Sequence, residues 1–94
     1  KHKKENLIIV GAGLSGLYTA FLLQDKYNIT ILEARKRIGG RILSIDGLDL
    51  GPSWVWPDHT NILKLIKDFK LELIEQYNNG YAIYVTTTGR VSML

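Results

Sequence analysis

Leu7-Ile8-Ile9-Val10-Gly11-Ala12-Gly13-Leu14-Ser15-Gly16 decides the fold of this 94-residue chain. The apolar quartet is short and largely β-branched, the composition of a strand buried on both faces of a parallel sheet. It ends at Gly11. Beyond it, Leu14, Leu17, Tyr18, Phe21 and Leu22 recur at helical spacing, which predicts a helix to about Gln24 with these residues on its core face. Residues 28–32 are rich in isoleucine and predict a second buried strand, closed by Glu33. The connection between the two strands has a length that suits a right-handed βαβ crossover. The fold class is α/β, with a Rossmann-like βαβ unit at its head.

The glycines have separate mechanical roles in such a unit. Gly11 permits the tight turn from strand to helix, Gly13 lets backbone approach a pyrophosphate, and Gly16 lets helix and strand pack closely. The helix N-terminus turns unpaired N–H groups and the positive end of its dipole toward phosphates, where the Ser15 hydroxyl adds a donor. Glu33 follows Gly16 by about 17 residues, close to the offset at which an acid accepts hydrogen bonds from an adenosine ribose. A lone Gly-x-Gly-x-x-Gly also occurs in turns that bind nothing. The strand before it, the helix after it and the acid at the second strand end are the context that makes it a dinucleotide site, FAD or NAD(P).

Ala34-Arg35-Lys36-Arg37-Ile38-Gly39-Gly40-Arg41 then forms a basic, glycine-containing loop, which can be a solvated turn or a second row of donors to a diphosphate. With the glycine fingerprint, the Leu32-Glu33-Ala34 strand end and Gly39-Gly40-Arg41, the chain resembles the flavin-containing amine oxidase family. It also resembles the wider group of polyamine oxidases, protoporphyrinogen oxidases and carotenoid desaturases. The resemblance implies FAD as cofactor. It implies that Gly11, Gly13, Leu14, Ser15 and Gly16 meet the FAD pyrophosphate, Glu33 the ribose, Ala34 and Arg35 the adenosine half, and Gly40 and Arg41 the diphosphate. Asp49-Leu50-Gly51-Pro52-Ser53-Trp54 resembles the segment that passes along the isoalloxazine, making Gly51, Pro52, Ser53 and Trp54 flavin neighbours. Taken alone, Gly51-Pro52 is a turn signal, and Trp54 with Trp56 fits core aromatics. Trp54-Val55-Trp56-Pro57 and Leu73-Ile74-Glu75-Gln76-Tyr77 are similar to amine oxidases of bacterial type.

The implied reaction is oxidation of a small-molecule amine to an imine, hydrolysis to aldehyde and ammonia, and reoxidation of the flavin by oxygen. The resemblance also implies a lysine that positions a water by the flavin, expected beyond these residues, so no catalytic residue is named and the chain alone is expected to be inactive. Two other classes fit the βαβ unit itself. One is an NAD-dependent dehydrogenase or nucleotide-binding regulatory module, since Glu33 suits NAD equally well. The other keeps the fold for packing or partner binding. Gly39-Gly40-Arg41 and the hairpin after it argue against a plain NAD unit, which would continue toward another βα repeat.

Beyond the basic loop, Asp46-Gly47 between residues 42–45 and 48–50 is a two-residue hairpin signal, because the pair tolerates positive φ. Pro57-Asp58 starts a helix with Asp58 or Thr60 as N-cap and Ile62, Leu65, Ile66 and Phe69 as its apolar face. Lys64, Lys67, Asp68 and Lys70 fall on the other side, as a wet surface. Residues 71–77 and 81–87, about a turn at Asn78-Asn79-Gly80, predict a second hairpin, with a last turn at Thr88-Gly89. By resemblance, residues 1–94 belong to the N-terminal part of the FAD-binding domain of a longer protein, with about 71–94 beginning the substrate domain. Tyr81 and Tyr84 are candidates for sheet packing there.

Composition narrows the remainder. Twelve Lys and Arg against nine Asp and Glu give +3, concentrated at Lys1, His2, Lys3 and Lys4. No aromatic-interleaved basic stripe accompanies that cluster, so a nucleic-acid partner is not expected. The two histidines lie far apart with no cysteine beside them, which gives no metal motif. No stretch reaches the roughly 18 apolar residues that span a bilayer, and no secretory signal is visible, so a cytoplasmic location is the default. The first strand of a doubly wound sheet normally pairs on both sides, and only one partner strand is recognisable. The chain is therefore expected to self-associate through an exposed strand edge.

Overall fold

A computed structural model describes residues 3–93, which divide into two compact units between Trp56 and Pro57. In the first unit, β1 (Glu5–Val10) and β2 (Tyr27–Leu32) pair in parallel from Glu5↔Tyr27 to Val10↔Leu32. Helix α1 (Leu14–Leu23) joins them. The ladder continues past the strand end, where the Gly11 N–H donates to the Leu32 carbonyl at 2.7 Å. This is the βαβ unit that the sequence predicts, with strand and helix bounds within about two residues.

The packing departs from expectation in two ways. Along β1 and β2 the half-buried positions are Leu7, Ile9, Tyr27, Ile29 and Ile31, while Ile8, Val10, Thr30 and Leu32 on the other side are exposed. One sheet face is covered rather than two, because α1 lies on the Ile9 side alone among the described residues. Helix α1 is also rotated relative to the predicted core face. Gly16, Leu17, Tyr18, Ala20 and Leu23 are half-buried, whereas Leu14, Phe21 and Leu22 are exposed.

Gly16 sets that rotation. A Cβ there would run into the Gly11 carbonyl and stand 3.3 Å from Ile9 Cγ2, so the helix meets the strand on its smallest residue. Ala20 and Leu23 follow on the same face at spacings of four and three. The helix is apolar nearly all round, so periodicity alone misassigns its inward side. Tyr18 and Phe21 stack with ring centroids 6.4 Å apart.

The Asp46-Gly47 hairpin forms as expected. β3 (Ser44–Ile45) and β4 (Leu48–Asp49) pair antiparallel, and Asp46 and Gly47 take φ of 52° and 77°. Both central residues are thus left-handed, as a type I′ turn demands. The Ser44 hydroxyl donates to the Asp49 carboxylate across the pair, and the Leu50 N–H donates to the Leu43 carbonyl at 2.8 Å.

In the second unit, α2 (Thr60–Asp68) half-buries Ile62, Leu63, Leu65 and Ile66 and exposes Lys64, Lys67 and Asp68; beyond its end Lys70 is exposed, and so is Phe69, contrary to the expected apolar face. Its N-cap is His59, not Asp58 or Thr60. The Thr60 N–H bonds the Asp58 carbonyl at 2.9 Å, and the resulting turn precedes the helix instead of belonging to it. At the other end, the Leu71 N–H reaches the Ile66 carbonyl and the Lys70 N–H the Lys67 carbonyl, at 2.9 and 3.1 Å. That is a Schellman closure, with Lys70 at φ 55° in the position glycine usually fills.

The last hairpin is displaced from the predicted one. β5 (Ala82–Thr86) pairs with β6 (Gly89–Met93), and residues 71–77 form no strand. A two-residue connection at Thr87-Thr88 supports five paired positions, from Thr86↔Gly89 outward. The Thr86 hydroxyl accepts or donates with Thr88 and bonds the Gly89 carbonyl at 2.9 Å. The shorter closure wins over the Asn-Asn-Gly turn, because residues 71–77 lack the alternation that would fix a register.

Candidate functional site

The carboxyl ends of two parallel strands and the N-terminus of the helix between them meet at residues 11–16, so the chemistry of the first unit gathers there. In a helix the first N–H groups have no partner four residues back. The first intrahelical bond at this end runs from the Leu17 N–H to the Gly13 carbonyl at 3.0 Å. The donors ahead of it, led by Leu14, Ser15 and Gly16, are therefore presented outward. A Cβ on Gly13 would meet no atom within 4 Å. The space over that glycine is free for another group.

A second wall stands opposite. The loop after β2 returns to the glycine turn, where the Gly39 N–H donates to the Ala12 carbonyl at 2.7 Å and Gly13 pairs with Gly39 in a parallel bridge. Gly39 and Gly40 take φ of 104° and 62°, and a Cβ on Gly40 would lie 3.3 Å from the Gly13 Cα. Two glycine-containing backbones thus approach as closely as backbone can. A third segment closes in at Gly51, where a Cβ would strike the Arg41 carbonyl.

Between them lies an open cleft of about 640 Å³. Gly13, Leu14 and Ser15 line it from the helix end, Arg35, Gly39, Gly40, Arg41 and Ile42 from the basic loop, and Gly51 and Pro52 from beyond the hairpin. Most of the sequence-derived candidates converge on this space. Gly11, Gly16, Glu33, Ala34, Ser53 and Trp54 do not line it. Gly11 and Gly16 shape the turn beneath, the Ser53 hydroxyl folds back to the Gly51 and Asp49 carbonyls at 3.1 and 3.4 Å, and Trp54 stands 59% exposed. Gly39 and Ile42 were not among the candidates; a loop wall made of backbone has little signature beyond its glycines.

Glu33 does more than end a strand. Its Oε1 accepts the Ala12 N–H at 3.0 Å, and its Oε2 accepts the Arg35 N–H at 2.8 Å. Ala12 is the one described residue in the buried class, at 2% exposed, so Glu33 satisfies a backbone donor at the base of the glycine turn. The Arg35 and Ala12 N–H groups, with the nearby Arg35 guanidinium, hold the Glu33 carboxyl below its ordinary value of 4.5. A carboxylate has about four acceptor sites. Two are used here, which leaves capacity for a ribose diol.

Arg37 organises the basic loop, and its sequence position does not single it out. Its Nη2 donates to the Gly40 carbonyl at 2.8 Å, and its Nη1 reaches the Ile38 and Ile42 carbonyls at 3.4 and 3.5 Å. A basic residue among three others in the loop carries no sequence mark of such a role. Arg35 and Arg41, by contrast, face the cleft. Outward helix donors, open space over Gly13 and two arginines among the lining residues make a donor set suited to an anionic diphosphate. Among the described residues, no group of three or more His, Asp or Glu side chains is placed to hold a metal ion.

Strand, glycine turn, helix, strand and acid around a cationic cleft define a dinucleotide-binding βαβ protein. Comparison with known proteins narrows the class. Residues 14–92 match the family model described as flavin containing amine oxidoreductase, and the chain belongs to that family. It is 36% identical over 91 residues to putrescine oxidase of Kocuria rosea, covering 92% of this chain and 19% of that protein. It is 41% identical over 75 residues to human amine oxidase [flavin-containing] B, covering 73% of this chain and 14% of that protein. A solved structure of wild-type putrescine oxidase bound to putrescine superposes with a TM-score of 0.80 at 36% identity, covering 98% of this chain and 22% of that one. The chain thus spans about a fifth or less of the length of these relatives. No helix among the described residues is long and apolar enough to cross a membrane.

Proposed function

We propose that this chain is the FAD-binding segment of an FAD-dependent amine oxidase. The observation that carries the reading is the convergence of the helix N-terminus at Gly13 and Ser15, the residues Arg35 and Arg41 and the Gly39-Gly40 turn on one cleft. In this proposal Gly11, Gly13, Leu14, Ser15 and Gly16 present the turn to the pyrophosphate, and Gly40 and Arg41 contact it from the opposite wall. Glu33 holds the ribose with its remaining acceptor sites, with Ala34 and Arg35 beside the adenosine half. Gly51, Pro52, Ser53 and Trp54 run toward the flavin. Residues from about 71 begin the substrate domain.

Bound FAD would take the hydride from the amine carbon, and the protein's share is to orient it and set its electrostatics. The imine so formed would hydrolyse to aldehyde and ammonia, with oxygen as the two-electron acceptor that leaves as hydrogen peroxide. The substrate class in this reading is a small amine, and the location is the cytoplasm. The test is the visible spectrum of the full-length protein, with mass analysis of the chromophore released by acid or protease. A yellow protein that yields FAD or a flavin peptide, is bleached anaerobically by putrescine or benzylamine and releases peroxide in air supports the proposal. A yellow protein inert to both amines moves the reading to a desaturase or protoporphyrinogen oxidase type of enzyme. A colourless protein that FAD does not reconstitute overturns it.

The exposed side of β1 supports a second expectation. Val10 is 84% and Ile8 63% exposed, and β1 pairs with β2 alone among the described residues. We infer that the isolated 94-residue chain self-associates through the unpaired backbone edge of β1, beside which these apolar side chains leave one sheet face uncovered. Sedimentation velocity should give species heavier than 10.6 kDa whose proportion rises with concentration; a single monomeric species across the range would count against it.

A further inference from the structure

Gly40 joins Arg41 through a peptide that borders the cleft. Both residues line it, and Gly40 sits at φ 62° with its Cα region against Gly13. A peptide flanked by glycine turns over at small steric cost, because no Cβ opposes the change. Which way it faces is chemically decisive. One orientation offers the cleft the Arg41 N–H; the reverse offers it the Gly40 carbonyl, whose partial negative charge repels an anion. In a trans peptide the C=O and N–H point in opposite directions, so whatever holds one also aims the other.

The Arg37 guanidinium holds the carbonyl. Nη2 donates to it at 2.8 Å, and Nη1 reaches the carbonyls of Ile38 and Ile42 on either side of the turn. The turn closes with the Ile42 N–H on the Gly39 carbonyl at 3.1 Å. Arg37 does not line the cleft. We propose that Arg37 is a positioning residue that latches the Gly40–Arg41 peptide with its carbonyl turned from the cleft, so that this wall presents a donor to a bound diphosphate. The planar fork of arginine suits the task, since it reaches several carbonyls at once and never loses its charge. The inference rests on the diphosphate reading of the cleft given above.

The test uses full-length protein stripped of flavin and titrated with FAD and, separately, with ADP. Arg37→Met should raise the Kd for both about tenfold or more, as expected when one charge-directed donor is lost. Added guanidinium ion at millimolar concentration should restore most of the loss, whereas equal sodium chloride should not. Wild-type affinity should not respond to guanidinium. Arg37→Lys, which keeps the charge without the fork, should lie between the two and melt with the wild type, and it serves as the test if Arg37→Met fails to fold. Unchanged affinities in the variants, or a loss that guanidinium does not restore, overturn the latch. If wild-type protein takes up ADP but not FAD, and ADP binding still depends on Arg37, the flavin reading fails while the latch stands.

Discussion

Gly16→Ala is expected to destabilise the first unit by about 3 kcal/mol, at the upper end of what overpacking costs, while Gly13→Ala leaves stability nearly unchanged and removes cofactor binding. The two substitutions add the same methyl group three residues apart in one motif. At Gly16 the new Cβ collides with the Gly11 carbonyl and presses Ile9 Cγ2, and backbone cannot yield as the tip of a side chain can. Helix α1 would have to lift from β1. At Gly13 the Cβ meets nothing within 4 Å, and the backbone, at φ −78° and ψ −175°, is extended and open to any residue. The methyl group would instead occupy the space over the helix N-terminus, where the diphosphate is proposed to lie. Thermal melts and FAD titrations of full-length variants separate the cases. Gly13→Ala should melt with the wild-type apoprotein and bind FAD at least roughly a hundredfold more weakly, as loss of close approach to a charged group implies. A Gly13→Ala protein with wild-type affinity would remove that glycine from the site; an unaltered melt for Gly16→Ala would contradict the close packing.

Glu33 is expected to show both effects in one residue. Glu33→Ala withdraws the acceptor from the buried Ala12 N–H and from the Arg35 N–H, so it should lower the stability of the apoprotein as well as weaken FAD binding, the latter by roughly ten- to a hundredfold. Glu33→Gln keeps the shape but turns an amide NH2 toward one of two backbone donors, and it should recover stability only in part. The pH dependence follows from the direction of the shift. The folded-state pKa lies below the ordinary 4.5, so the contribution of the ionised group is fully present above the unfolded value and is lost as pH falls through the folded one. The difference in melting temperature between wild type and Glu33→Ala should therefore hold from neutral pH to about 5 and shrink below 4.5. A difference that persists undiminished at lower pH would assign the effect to packing rather than to charge.

The βαβ unit was legible along the chain because its signals are local: a β-branched quartet, three glycines at set intervals and an acid at the next strand end. So was the Asp46-Gly47 turn, whose two positive φ angles few other pairs accept. Membership of the amine oxidase family was legible at Gly39-Gly40-Arg41 for the same reason. Which residues meet across the chain was settled by folding alone. The inward face of α1 was set by Gly16 against Gly11, and a helix apolar all round gives periodicity nothing to choose between. The pairing of β5 with β6 was settled by a shorter closure, not by the stronger turn signal at Asn78-Asn79-Gly80. Glu33 reads as a ribose ligand in sequence, yet its carboxylate also secures the Ala12 N–H about 21 residues earlier. Arg37 is one of several basic residues in sequence, and becomes distinct only when folding brings three carbonyl oxygens around its guanidinium, because hydrogen-bond geometry is a property of positions in space and not of order along the chain.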